Sequence, residues 1–107
     1  MGFFSGPSND VLLGMARGIA STAMQLRMMN ALDPGGRQEM AKSLEASGLP
    51  TSLEQLLRSA AVVVKEQNLG WYKRNLFLGM IKGSFVEMGI PEVDAQYYKG
   101  NIEIMAR

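Results

Sequence analysis

The chain has 107 residues, a formal net charge of +1, 47% apolar and 20% charged residues, and neither cysteine nor histidine. This size and composition fit one globular domain and exclude disorder driven by composition. The two missing residue types exclude disulfides, thiolate catalysis and cysteine or histidine metal sites, and they remove the usual proton-transfer group near neutral pH. The balanced charge argues against partners recognised through a strong field, such as nucleic acid or an anionic membrane.

The first predicted helix follows an N-terminal arm, residues 1–8, and runs to about Leu32, before the "DPGG" turn. Ser8, Asn9 or Asp10 can cap it. A spacing of i, i+3 and i+7 predicts one buried stripe of apolar residues: Leu12, Met15, Ile19, Ala23 and Leu26. The opposite side is a smooth, weakly polar strip: Gly14, Gly18, Ser21 and Gln25.

The second predicted helix spans residues 34–47, with Asp33 as its N-cap, Pro34 in its first turn and Gly48 as its stop. Its few apolar residues are Met40, Ala41, Leu44 and the following Leu49. A helix with so little apolar surface gains little from packing, so we expect it to be the most mobile helix.

The third predicted helix has the clearest amphipathic pattern. The "TSLE" segment predicts a capping box with Thr51 at the cap and Glu54 three residues on, and Glu54 and Arg58 form a favourable i, i+4 pair. One face is apolar: Leu53, Leu56, Leu57, Ala60, Val63 and Val64. Val62 alone lands on the polar side, and Asn68 or Gly70 can end the helix in the left-handed conformation.

The fourth predicted helix, about residues 71–88, is apolar on two sides. One broad arc contains Phe77, Leu78, Ile81, Phe85 and Met88. The opposite side contains Tyr72, Leu76, Gly79, Gly83 and Val86. Because a helix with two apolar sides needs cover on both, the pattern predicts a central helix with the first and third helices beside it.

The segment "GIPE" ends the fourth helix at Gly89 and begins another at Pro91. Ile90, Val93 and Tyr97 are expected on one face of this last helix, and Gly100 is its predicted stop. Residues 101–107 are either an extension of the helix or a loose C-terminal tail. The predicted fold is therefore all-α, a compact bundle of four to five helices in one domain, residues 1–107, with a central glycine-containing fourth helix.

The glycines spaced four apart, in "GMARG" and "GMIKG", are the main functional signal. Each costs about 0.5 to 1 kcal/mol relative to alanine inside a helix, and close approach of two helix backbones can offset that cost. The approaching helix belongs either to the same chain or to a second subunit. The interface candidates are Gly14, Gly18, Gly79 and Gly83, together with Met24 and Met28, which lie off the buried stripe of the first helix.

Two other clusters suggest weaker alternatives. Trp71, Tyr72, Lys73 and Arg74 form an aromatic and basic group suited to nucleic-acid or anion contact, although Lys82 lies on a different seam. The carboxylates considered for catalysis are Glu39, Glu45, Glu87, Glu92, Asp94 and Glu103. Pairing with Lys73 or another cation accounts for Glu87 more simply than catalysis does. The sequence therefore assigns no catalytic, cofactor-binding or metal-binding residue.

The hypothesis that best fits these features is a non-enzymatic, cytoplasmic helical interaction module. We expect it to bind a second copy of itself, another protein, or both, through apolar helix faces. One alternative is a peripheral membrane protein that inserts Phe3 and Phe4 and one face of the fourth helix. The other is a nucleic-acid binder that uses the Trp71 to Arg74 cluster. The arm has no signal-peptide pattern, and the charge-free stretches are too short to cross a bilayer.

Overall fold

Five α-helices make up the fold, and no strand occurs in the part of the chain that the structure describes, residues 6–107. The structure is a computed structural model. The helices are α1 (Asn9–Met29), α2 (Pro34–Ala46), α3 (Leu53–Glu66), α4 (Trp71–Glu87) and α5 (Glu92–Met105). The predicted all-α bundle is confirmed.

The helix starts show how local side-chain chemistry sets the boundaries. Ser8 accepts a hydrogen bond from the Val11 amide, and Asp33 accepts one from the Gly36 amide, so both predicted caps are confirmed. The predicted Thr51 cap of α3 is wrong by one residue.

The N-cap of α3 is Ser52, whose hydroxyl accepts from the Gln55 amide at 3.1 Å. Gln55 in turn accepts hydrogen bonds at 3.0 Å from both the amide and the hydroxyl of Thr51. Gln55 therefore takes the place predicted for Glu54, but its side chain reaches back to Thr51, the residue before the N-cap, and not to the Ser52 amide as in a capping box. Glu54 instead pairs with Arg58 at 2.7 Å, as predicted.

Helix ends follow the turn residues. Asn68 takes the left-handed conformation after α3 with φ of +50°, and Gly89 does so after α4 with φ of +102°. α1 ends at Met29, three residues before the predicted Leu32. The amides of residues 30–32 bond to carbonyls three residues back, so the chain leaves α1 through tight single turns.

α4 and α5 form an antiparallel hairpin. Near its turn, the Lys82 ammonium lies 3.6 Å from the Glu92 carboxylate. Phe85, close to the end of α4, meets the ring of Tyr98 edge to face, with centroids 5.6 Å apart. At the open end, Arg74 donates a hydrogen bond of 3.0 Å to the carbonyl of Ala106, one of the free carbonyls that follow the last turn of α5.

The core lies where α1, α3, α4 and α5 meet. Four of the five arc residues predicted for α4 are buried: Phe77, Leu78, Ile81 and Phe85. The fifth, Met88, is partly exposed because it is already the C-cap. α4 contacts α1, α3 and α5, but α1 and α3 also contact three helices each, so the helix contacts do not single out α4 as the central helix.

Alanines line the buried side of α1 and α3. The fully buried small residues of these helices are Ala16, Ala20, Ala23, Ala60 and Ala61. Met15 and Ile19, which the sequence placed in the buried stripe of α1, are only half-buried. α1 is rotated so that its alanines, not Met15 and Ile19, face the core. Alanine allows close approach of helices and keeps full helix propensity.

The C-terminal end of α5 differs from the predicted stop at Gly100. Gly100 does not stop α5, and the residues after it are not loose: the helix continues to Met105, with Ile102 and Ala106 buried against the core. Their burial offsets the helix penalty of Gly100.

α2 contacts only α1 among the helices, and Leu44 is its one buried residue. In residues 6–107 no helix has both the length and the apolarity needed to cross a bilayer.

Candidate functional site

The glycines of α4 face away from the rest of the chain. Among residues 6–107, a Cβ atom added at Gly79 or Gly83 would meet nothing within 4 Å, and both residues are exposed. The hypothesis that they allow close packing inside the same chain is therefore wrong. Tyr72 and Val86 share this side, 75% and 43% exposed. The neighbouring helices reach α4 from the opposite arc, so the second apolar side has no cover within the described chain.

The glycines of α1 behave in the same way. Gly14 and Gly18 are exposed, and neither would bring an added Cβ within 4 Å of another group. Gly18 borders a shallow hollow of about 450 Å³ between α1 and α3. The lining of this hollow carries no charge: Gly18, Ile19, Ser21, Thr22, Gln25, Leu49, Pro50, Leu56, Ser59, Ala60 and Val63. Because Gly79 and Gly83 lie outside it, the two glycine pairs do not share this hollow.

Met24 and Met28 do lie together. They line a hollow of about 390 Å³ whose other walls are Arg27, Asn30, Leu53 and Tyr98. A second hollow, about 500 Å³ between α3 and α5, shares Leu53 and Tyr98 with the first. The predicted methionine contacts therefore belong to a surface of mixed polarity that continues from α1 across α3 to α5. Their role in binding stays a prediction.

Arg27 fastens the end of α1 to the start of α5. Its Nη1 atom donates hydrogen bonds to Tyr98 Oη at 2.9 Å and to Asp94 Oδ2 at 3.1 Å. The hydrogen bond to Tyr98, assisted by the nearby Asp94 carboxylate, raises the pKa of Arg27 above its ordinary value despite the opposing effect of burial. The guanidinium therefore remains charged throughout the neutral range, and its role is to position the two helices.

The Trp71 to Arg74 cluster is split between surface and structure. Trp71 and Tyr72 are 80% and 75% exposed, whereas Lys73 and Arg74 are half-buried. The Arg74 guanidinium bonds to the Ala106 carbonyl, so part of its donor capacity already serves the fold. Trp71 and Arg74 line a hollow of about 360 Å³ that also includes Glu103 and Arg107.

The carboxylates considered for catalysis lie in surface ion pairs or alone. Glu87 is 3.9 Å from Arg17, not Lys73, and its side chain is largely exposed. Glu103 pairs with Lys99 at 3.6 Å. In residues 6–107, no three acidic side chains come close enough together to hold a metal ion. Over the same range, every buried polar side-chain atom has a hydrogen-bond partner.

The residues that the sequence reasoning missed form the outer face of α5. Val93, Tyr97 and Ile104 are 80%, 66% and 62% exposed, and the half-buried Gly100 lies in line with them. We refer to these four residues as the α5 outer stripe. Its spacing of four, three and four residues places all of them opposite the buried Ala95, Tyr98 and Ile102.

The sequence prediction had placed Ile90, Val93 and Tyr97 on one face of the last helix. Ile90 is buried, but it lies in the turn before the N-cap Pro91, so it does not belong to a face of α5. A predicted helix that continued beyond Gly100 would have shown Ala95, Tyr98 and Ile102 as one periodic, buried set. Val93 and Tyr97 would then have been predicted to face outward. Phe3 and Phe4, named for the membrane alternative, lie outside the described residues.

Comparisons of this chain with protein-family models, with curated proteins and with solved structures find no match.

Proposed function

We propose that this protein is a non-enzymatic helical interaction module that works as a homodimer through apolar helix faces. The observation that carries the proposal is the apolar outer side of the α4–α5 hairpin. Both helices direct large apolar side chains outward where a monomeric bundle normally carries charges. The prediction of a cytoplasmic location belongs to the same proposal.

Single exposed apolar residues are common on protein surfaces and need no explanation. The α5 outer stripe and the opposite side of α4 differ because their apolar residues recur at helical spacing along one side. Such a stripe can be covered by another helix, which removes apolar surface from water. The interface candidates Gly14, Gly18, Gly79 and Gly83 would then leave room for a close partner helix.

The methionines support the same proposal. Met24 and Met28 lie beside the hollow that leads to α5, and thioether side chains adapt their shape to a partner with little strain. A surface that combines flexible methionines with rigid aromatic rings suits protein partners better than a small polar substrate. The proposal includes binding of another protein in addition to a second copy.

The proposal is tested by measuring mass with light scattering over a concentration series. We expect the parent chain to shift from monomer to dimer as concentration rises. A double variant, Val86→Glu with Val93→Glu, should remain monomeric because each change places a charge on an apolar outer face. Val62→Glu is the matched control, since Val62 is 51% exposed on α3, outside both faces. A parent chain that stays monomeric at every concentration contradicts the homodimer.

Nucleic-acid binding is a second candidate because Trp71 and Tyr72 are largely exposed next to Lys73. Stacking of bases on such rings would quench the fluorescence of Trp71, the one tryptophan of the chain. Titration with a single-stranded oligonucleotide should then show quenching that weakens steeply as salt is added. Absence of quenching at low salt contradicts this candidate.

A further inference from the structure

α2 is attached to the rest of the bundle by one narrow row of side chains. Leu44 is its one buried residue, and Gly36, Met40 and Ala41 are only half-buried. Among the helices α2 contacts α1 alone. In residues 6–107 neither an ion pair nor a side-chain hydrogen bond joins α2 to another helix. The attachment therefore depends on apolar contact around Leu44.

α5 has nearly the same length as α2, 14 residues against 13, but it is held in a different way. Three of its residues are buried, and they are spread over two turns. Arg27 bonds to Asp94 near its start, and Arg74 bonds to Ala106 at its end. α5 therefore cannot leave the bundle without breaking polar bonds to two other helices, whereas α2 gives up the full burial of one leucine.

The chain on either side of α2 is fixed by local hydrogen bonds. Before α2, the Leu32 amide bonds to the Met29 carbonyl at 3.1 Å. After α2, the amide and hydroxyl of Thr51 both bond to Gln55 of α3 at 3.0 Å. Between these two anchors lie α2, its N-cap Asp33 and the turn that follows it. We refer to residues 33–50 as the α2 segment.

The two anchors of the α2 segment are near each other. Met28 and Asn30, at the end of α1, line the same hollow as Leu53 at the start of α3. A segment whose ends are neighbours can move away from the protein while its ends stay where they are. The α2 segment can therefore open as a local unit, with α1 and α3 left in place.

The turn that ends α2 is of the same kind as the turn that ends α4, but it is less buried. Gly48 and Gly89 take the left-handed conformation, with φ of +72° and +102°, and the next amide bonds to a carbonyl five residues back. The residue after Gly89 is Ile90, which is 2% exposed, whereas the residue after Gly48 is Leu49, which is 40% exposed. The core therefore holds the end of α4 but not the end of α2.

We infer that the α2 segment is a lid, which opens and closes on α1 as one unit while α1, α3, α4 and α5 stay assembled. Leu49 and Pro50, at the end of the segment, form part of the wall of the uncharged hollow of about 450 Å³ between α1 and α3. When the segment leaves α1, this part of the wall moves with it. The lid therefore controls access to the hollow.

The lid loses its helix when it opens. α2 has 13 residues, and Gly35 and Gly36 lie in its first turn. A helix of this length is marginal in water without packing, and glycine lowers its helix propensity further. The amide hydrogens of an open lid therefore exchange with solvent, so hydrogen exchange measures the opening.

The test is native-state hydrogen exchange of the chain over a series of low urea concentrations. We expect the amides of residues 37–49 to exchange at least about tenfold faster than those of α4. Their exchange should respond weakly to urea, because a local opening exposes little surface. One shared urea slope for these amides shows that they open together. Equal exchange rates in α2 and α4 overturn the inference.

Leu44→Ala and Leu78→Ala are a matched pair, since both leucines are almost fully buried, one on α2 and the other on α4. Leu44→Ala should speed exchange in α2 by about tenfold or more and leave exchange in α4 unchanged. Leu78→Ala should speed exchange in α3, α4 and α5 alike, with little effect on the α2 segment. If Leu44→Ala speeds exchange in α4 as much as in α2, the segment unfolds only with the whole bundle and there is no lid.

Thiol labelling measures access to the hollow, because the native chain has no cysteine. Thr22 lines the hollow and is 8% exposed, whereas Ser84 is 3% exposed on α4, outside the hollow. Each is replaced by cysteine, with and without Leu44→Ala, and its reaction with dithionitrobenzoate is timed. Leu44→Ala should speed labelling of Thr22→Cys by about tenfold and leave that of Ser84→Cys unchanged. An unchanged rate for Thr22→Cys overturns the control of access.

The lid and the proposed homodimer can be tested apart. Hydrogen exchange at a concentration where the chain is monomeric reports the lid alone, and light scattering reports the dimer alone. A chain that never dimerises but shows local opening of α2 contradicts the homodimer and supports the lid. A dimer in which α2 and α4 exchange at the same rate does the reverse.

Discussion

The outer faces of α4 and α5 share a spacing but differ in what they expose. Both carry apolar residues and glycines at steps of three and four along one side. The α4 face combines two exposed glycines with Tyr72 and Val86, whereas the α5 face combines one glycine with three large exposed side chains. Glycine spacing alone therefore does not identify a contact surface, because the apolar area that a partner can cover depends on the residues between the glycines.

The largest expected effect separates the inner side of the hairpin from its outer side. Phe85→Ala removes a fully buried ring that meets Tyr98 edge to face, and it should lower the free energy of unfolding by about 3 to 5 kcal/mol. The neighbouring Val86→Ala removes partly exposed methyl groups and should change it by less than about 1 kcal/mol. Urea denaturation of both variants measures the difference. Equal losses would show that the outer side of α4 is covered.

The next effect concerns association through α5. Val93→Glu places a charge on the most exposed position of the α5 outer stripe, and the dissociation constant of the dimer should rise by about ten- to a hundredfold. The monomer should melt as the parent does, because Val93 makes little contact within its own chain and an acid suits the first turn of a helix. Sedimentation equilibrium measures the constant, and Val86→Glu on α4 provides the comparison. A larger effect from Val86→Glu would indicate that the two copies meet mainly through α4.

A smaller effect is expected where α5 is fastened to α1. Arg27→Ala removes the hydrogen bonds to Tyr98 and Asp94 and should lower the free energy of unfolding by about 1 to 2 kcal/mol. Because the pKa of Arg27 is raised, its contribution is present below the unfolded pKa and is lost only as pH rises through the still higher folded value. Titration of Arg27 should therefore leave the difference in stability between parent and variant unchanged from about pH 6 to about pH 9. Thermal melts over that range would contradict this if the difference vanished.

The smallest effect tests whether the glycines serve the fold. Gly79→Ala and Gly83→Ala should each raise the free energy of unfolding by about 0.5 to 1 kcal/mol, because both positions are helical and have open space for a methyl group. Thermal denaturation at low concentration, where the chain is monomeric, measures this. A loss of stability in either variant would mean that the glycine is needed within the single chain.

Local sequence signals predicted most helix boundaries because they depend on nearby residues. Ser8 and Asp33 cap their helices through hydrogen bonds to amides three residues away, and Asn68 ends α3 in a conformation that few residues accept. The same reasoning failed at Gly100. Its helix penalty is small compared with the burial of Ile102 and Ala106, which depends on distant parts of the chain.

The candidate surfaces were only partly predictable. The sequence singled out Gly79, Gly83 and the methionines of α1, but it could not decide whether a partner helix from the same chain covers the glycines. The α5 outer stripe was missed because a face of valine, tyrosine and isoleucine resembles a buried face in every local respect. Its exposure depends on the side from which α3 and α4 approach α5.

The sequence by itself determined the helical class, the N-caps of α1 and α2 and most inward residues of α3 and α4, since these follow from hydrogen bonds and periodicity within a few turns. Only the tertiary structure decided which apolar faces remain uncovered, because that depends on the order in which helices surround the core. In this chain the alanines of α1 and α3 provide the close packing inside. The glycines of α4 and the apolar residues of α5 are therefore left facing outward.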